Sequence, residues 1–181
     1  PCTTSLVAYS IIFRSLFAND GLVNYVLVNL GILDKPYNFL TQPFAAKMVI
    51  ILALLWRWTG YNMVFFLSGL QNIEYSVYEA AKIDGASAIQ TFFKITVPLL
   101  KPTILLTAIM STNGTLQLFD ESINLTDGGP ANASISMSHY IYNLCFKYVP
   151  NFGYAAAMSF FILLLVAVLA FIQMRVGDKR D

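Results

Sequence analysis

Histidine occurs once in this 181-residue sequence, at position 139, and cysteine twice, at positions 2 and 145. Such scarcity excludes whole classes of chemistry. A metal centre needs clustered His, Cys or carboxylate ligands, and a hydrolytic site needs a nucleophile beside a base. One histidine and two scattered cysteines supply neither, nor a disulfide framework. No catalytic residue, metal or cofactor is expected. Charge is sparse too, at 12% of residues against about 25% in soluble domains. The net charge of +1, with no run of like charges, provides no field for nucleic acid. Also missing from the opening "PCTTSLVAYS" are an initiator methionine and the basic start of a signal peptide, so the sequence reads as part of a longer chain.

What is abundant is apolar surface, at 57% of residues. The stretch 154–173, "YAAAMSFFILLLVAVLAFIQ", has no charge and is long enough as a helix to cross about 30 Å of hydrocarbon. A second span is expected over 45–67, interrupted by Arg57 between Trp56 and Trp58. A third, 102–119, begins "TILLTAIM" and softens to "STNGTLQLF". Polar groups at that depth must face protein or a water-filled cavity. Residues 3–17 form a further apolar segment. The expectation is an all-α membrane protein with four spans in a bilayer.

The connections 18–44 and 120–150 carry Asp-Gly, Gly-Gly and Gly-Pro steps and read as turn-rich surface loops; His139 falls in the second as an ordinary loop histidine. Outside Arg57, the basic residues divide into Lys82, Lys94, Lys101, Arg175, Lys179 and Arg180 on one side and Arg14, Lys35, Lys47 and Lys147 on the other. That split places the middle loop and carboxyl tail in the cytoplasm, "TDGGPANAS" outside, and Cys2 and Cys145 on opposite faces.

The connection between the second and third spans has a different character. In "YEAAKIDGASAIQTFFKITVPLL" the composition favours a helix from Tyr75 to Ile83, with Asn72 available to cap it and Glu74 near its amino terminus. Asp84-Gly85 breaks the run. A second helix over 86–96 puts Ile89, Phe92, Phe93 and Thr96 on one face and Ser87, Gln90, Thr91 and Lys94 on the other, with Pro98 and Pro102 ending it and re-aiming the chain. Such a segment fits either a rigid knob offered to a partner or an amphipathic loop resting on lipid headgroups.

The spacing in these residues resembles a known signature. Glu79-Ala80-Ala81, three residues, Gly85, nine residues and "ITVP" at 95–98 are similar to the EAA loop, E-A-A-x3-G-x9-I-x-L-P, of permease subunits of binding-protein-dependent ABC importers. The longer string "YEAAKIDGAS…FFKITVPLLKP", with "LFDESINLTDGGP" and "FGYAAA", resembles the carbohydrate-uptake class, the maltose- and lactose-type permeases. Val97 stands where the motif has leucine, and Glu74 where relatives often have proline. The resemblance implies a six-helix core of which this chain, 1–181, holds the last four helices, with 72–98 as the cytoplasmic coupling loop. It implies a multi-pass protein of the bacterial inner membrane that works with ATP-binding cassette subunits, a second and different permease subunit, and an extracytoplasmic solute-binding protein. In that reading Glu79 meets a basic group of the ATPase, Ala80 and Ala81 allow close approach, and Asp84 with Gly85 sets the angle.

The resemblance also implies where a sugar would pass. Trp56, Gly60 and Met63 share one face of the second span, and Gly114, Thr115 and Leu118 one face of the third; rings and hydroxyls of these kinds suit a sugar. Helix–helix packing explains the same residues, with the glycines admitting close contact, and Arg57 reads as a structural charge near water or an acidic partner. The substrate is then a di- or oligosaccharide or related polyol. The alternatives are a non-sugar solute such as a glycerol phosphate, or transport driven by an ion gradient. The latter would require carboxylates inside the spans, which hold none. ATP hydrolysis belongs to the partner, and the chain is not itself an enzyme.

Overall fold

The computed structural model describes residue 1 and residues 3–177; Cys2, and Lys179 and Arg180 of the basic tail, lie outside the described residues. The described residues form helices and no strand. In chain order the α-helices are α1 (Leu6–Leu16), α2 (Leu22–Asn29), α3 (Pro43–Gln71), α4 (Tyr75–Ile83), α5 (Ala88–Thr91), α6 (Val97–Leu99), α7 (Lys101–Leu116), α8 (Met137–Tyr142) and α9 (Phe152–Gly177). Three wide π turns occupy Phe92–Thr96, Ser122–Thr126 and Asn143–Lys147.

By length and composition α3 and α9 can each cross a membrane. The helical run Ala88–Leu99 and α7 together meet the same test but are bent by 65°. Of the four expected spans, therefore, two are single long helices and a third is a bent pair, whereas α1 has 11 residues. Both long helices turn large apolar side chains outward, among them Leu55, Val64, Phe160 and Leu163, as helices do whose solvent is lipid.

What α3 buries is confined to its first half: Ala46, Val49, Ile50 and Ala53 stand at i, i+3, i+4 and i+7, one face of the helix. Against that face lie Tyr9 of α1 and Leu125 of the second π turn, with Leu6, Phe13, Leu54 and Leu118 around them. α7 packs chiefly on α9 and secondarily on α3. Side-chain hydrogen bonds join these helices within their carboxyl-terminal halves. Asn62 and Ser111 bond reciprocally at 3.1 and 3.3 Å, and Gln173 Nε2 donates to Thr112 Oγ1 at 2.8 Å. Polar groups deep in a span thus find protein partners.

The two connections expected to be surface loops are built structures. In the first, Asn24 of α2 is buried; its amide donates to the carbonyls of Ala18 and Tyr37 and its oxygen accepts the Tyr37 N–H. In the second, Glu121, Ser122, Leu125, His139, Asn143 and Leu144 are all buried. His139 is accordingly not a loop histidine but a core residue of α8. Turn dipeptides mark where a chain reverses; they do not reveal whether the reversal folds back on a core.

Candidate functional site

The segment between α3 and α7 is an exposed helix–glycine–helix hairpin. α4 spans Tyr75–Ile83, the expected bounds, but its cap differs. Asn72 closes α3 at its carboxyl end, and Glu74 is the residue at the N-cap of α4, without a capping side-chain bond. One residue cannot serve both helices, and the short link 72–74 assigns Asn72 to the first. Glu79 and Ala80 are exposed, Ala81 is buried, and Ile83 at 86% exposure is among the barest apolar side chains. Gly85 has φ +74°, and among the described residues nothing beyond its chain neighbours lies within 4 Å of where a Cβ would sit. It therefore serves the backbone turn and no close contact.

The return arm opens with a capping box: Ser87 accepts from the Gln90 N–H at 3.3 Å and the Gln90 side chain accepts from the Ser87 N–H at 2.9 Å. Helical backbone then runs on through Pro98 to Leu99, beyond the expected end at residue 96. The π turn Phe92–Thr96 lies directly before Pro98, and such a widened turn accommodates a ring with no N–H to give. The bend falls instead at Leu100, and Pro102 starts α7 at its first turn. The two arms meet where Tyr78 Oη and Thr96 Oγ1 lie 3.2 Å apart. Ile89, Phe92 and Phe93 face outward.

The residues expected along a substrate path are distributed over several contacts. Trp56 stacks on Tyr9 at 6.0 Å between ring centroids and meets Phe13 at 5.8 Å. A Cβ added at Gly60 would lie 2.9 Å from Pro1 Cβ, and one at Gly114 would lie 2.7 Å from Trp58 Cη2. Gly114 thus admits the Trp58 ring between α3 and α7. The Trp58 indole N–H is buried with no hydrogen-bond partner among the described residues. Met63 and Thr115 are exposed, and Leu118 packs beside Tyr9 and Leu125.

One charged group escaped the sequence reading. Arg57 Nη1 donates to Glu121 Oε1 at 2.8 Å, and Tyr9 Oη donates to the same oxygen. Glu121 is 1% exposed. Three elements, α1, α3 and the segment after α7, converge on this carboxylate. Half of the signal was present, since an arginine inside a span needs an acidic partner and Asp120 and Glu121 stand just past the third span; the structure selects Glu121.

Comparison with known proteins extends these observations. A family model described as "Binding-protein-dependent transport system inner membrane component" matches residues 4–180. The lactose transport system permease protein LacF of Rhizobium radiobacter is 56% identical over 182 residues, covering 99% of this chain and 61% of that protein. The arabinooligosaccharides transport system permease protein AraP of Bacillus subtilis is 34% identical, covering 99% of this chain and 57% of that protein. The chain therefore spans about three fifths of the length of these relatives. A crystal structure of a bacterial ABC transporter involved in the import of the acidic polysaccharide alginate superposes with a TM-score of 0.84 at 24% identity, over 97% of this chain and 61% of that one; at that identity the likeness is one of fold.

Proposed function

Because this chain belongs to the binding-protein-dependent transport system inner membrane component family, we propose that it is the membrane-spanning part of an ATP-driven importer whose substrate is a sugar. The observation that carries the reading is the exposed hairpin of α4 and α5, which lies between α3, long and apolar enough to cross a membrane, and the apolar α7, with Glu79 and Ile83 bare to solvent. In this reading residues 72–98 are the coupling loop on the cytoplasmic side. Glu79 pairs with a basic group in a cleft of an ATP-binding subunit, Ala80 and Ala81 permit close approach, and Asp84 with Gly85 sets the angle between the arms. The relatives' names support a di- or oligosaccharide. Partners are ATP-binding subunits, a second permease subunit and an extracytoplasmic binding protein. Trp56, Gly60, Met63, Gly114, Thr115 and Leu118 are proposed as this chain's share of the substrate path.

The test is Glu79→Lys in the full-length permease expressed with its partners. If Glu79 enters a desolvated cleft, removing one partner of the pair already costs roughly 3–5 kcal/mol, and reversal costs more. Uptake is expected to be lost, with less ATPase co-purifying and a normal amount of permease in the membrane, since the position lies outside the spans. Wild-type uptake and wild-type ATPase binding would remove Glu79 from the coupling contact.

A further inference from the structure

His139 of α8 is fully buried, with its ring edge-on to Phe119 at 6.0 Å between centroids. Its Nδ1 lies 2.9 Å from Ser122 Oγ. The other bonds of Ser122 fix the direction of that contact. Ser122 Oγ donates its one proton to the Ser134 carbonyl at 2.9 Å and accepts the Ser136 N–H at 3.2 Å. Toward the imidazole it can only accept, so Nδ1 carries the hydrogen. In the neutral ring Nε2 is then a bare lone pair, and it has no hydrogen-bond partner among the described residues. It faces Asp127, whose Oδ1 is 3.7 Å away. Two acceptors oppose each other with no proton between them.

Asp127 is held from its exposed flank by Lys147, whose Nζ is 3.1 Å from both carboxylate oxygens. These two are the charged groups that bear on His139. Burial holds the imidazole below the ordinary histidine value of 6.5; the Asp127 charge raises it and the Lys147 charge lowers it further. The segment that starts at Asp127 takes left-handed backbone at four positions, with φ +49° at Asp127, +76° at Gly128, +48° at Ala131 and +61° at Asn132. A Cβ at Gly128 would sit 3.4 Å from His139 Cε1, so this loop rests directly on the imidazole.

We propose that His139 Nε2 is an acid-operated hook for the segment 127–132. A proton taken from solvent at Nε2 creates an N–H aimed at Asp127; the carboxylate passes from Lys147 to the imidazolium, and the left-handed turns reseat on the ring. The sign follows from the depressed basicity. The present seating is fully stable above the ordinary histidine value and loses stability as pH falls below it, through the lower value of the folded state. The hook rests on geometry alone. That it senses the extracytoplasmic medium rests on the importer reading, in which this connection lies outside.

The experiment attaches a spin label at Asn132→Cys in the full-length permease assembled with its partners, with Cys2 and Cys145 replaced by serine, and follows label mobility from about pH 8 to about pH 5. The expected result is a single transition with its midpoint below the ordinary histidine value. Lys147→Gln, which removes the competing cation, shifts the midpoint upward. Asp127→Asn abolishes the transition, as does His139→Gln. Should the buried His139→Gln fail to fold, the exposed Asp127 position still decides. A flat profile in the otherwise wild-type protein, or an undiminished transition in Asp127→Asn, overturns the proposal. None of these readouts depends on transport, so failure of the hook and failure of the importer reading are separately visible.

Discussion

Arg57 and Glu121 form an unequal pair, because the arginine side chain keeps 30% of its surface exposed and the glutamate 2%. The cost of separating them therefore depends on which is removed. Arg57→Ala leaves a buried carboxylate with Tyr9 as its remaining donor, a loss of roughly 3–5 kcal/mol. Glu121→Ala leaves a guanidinium that can turn to water and is expected to cost less. The double replacement should be more stable than Arg57→Ala alone. Thermal unfolding of the three variants in detergent measures this order, and the reverse order would mean that the arginine, not the glutamate, is the trapped charge. Residue-scale legibility was uneven for the same physical reason. Arg57 announces itself as a charge in an apolar run, whereas the acid it needs sits in a stretch rich in Asp, Asn and Gly that reads as solvent-exposed. His139 escaped likewise: a lone histidine has no pattern, and it is held against Ser122 and Phe119, contacts no spacing rule encodes.

At the scale of the element, α4 was legible to the residue because both its boundaries are chemical: the charged link 72–74 before it and Asp84-Gly85 after it. The return arm was legible as a helix but not in its full face or its end: Thr96, grouped with Ile89, Phe92 and Phe93, is buried while those three are exposed. A pattern of 3.6 residues per turn loses phase wherever a π turn inserts a residue, and one lies at Phe92–Thr96. Gly85 offers a clean test of what the bend contributes. With open space around its Cα and φ +74°, Gly85→Ala meets no clash and pays only the left-handed backbone penalty of about 1–2 kcal/mol, whereas Gly85→Asn, a residue that tolerates this region, should cost less. Uptake by the full-length permease is expected to fall in the order Gly, Asn, Ala. Equal uptake by all three would separate the bend from function.

For the whole molecule the all-helical class and the two long spans were legible because length and apolar content fix them. The layered packing around Tyr9, Ile50, Ala53 and Leu125 was not, since it joins residues more than 100 positions apart. Sidedness is open to a direct check. Asn132→Cys should react with an impermeant thiol reagent from outside intact cells, and Ser87→Cys only after the cytoplasmic face is opened; reaction of both from one side would break the proposed topology. The bonds between Asn62 and Ser111 and from Gln173 to Thr112 have a consequence for biogenesis. A lone α7, 16 residues with Ser111 and Thr112 unpartnered, is a poor substrate for the insertion machinery, and α3 carries Arg57 before Glu121 is made, whereas α9, free of charge from Phe152 to Met174, can leave the translocon unaided. In the proposed topology α7 is expected to enter lipid as a passenger of its neighbours, and the ribosome must finish α9 before α7 has Gln173 as a partner.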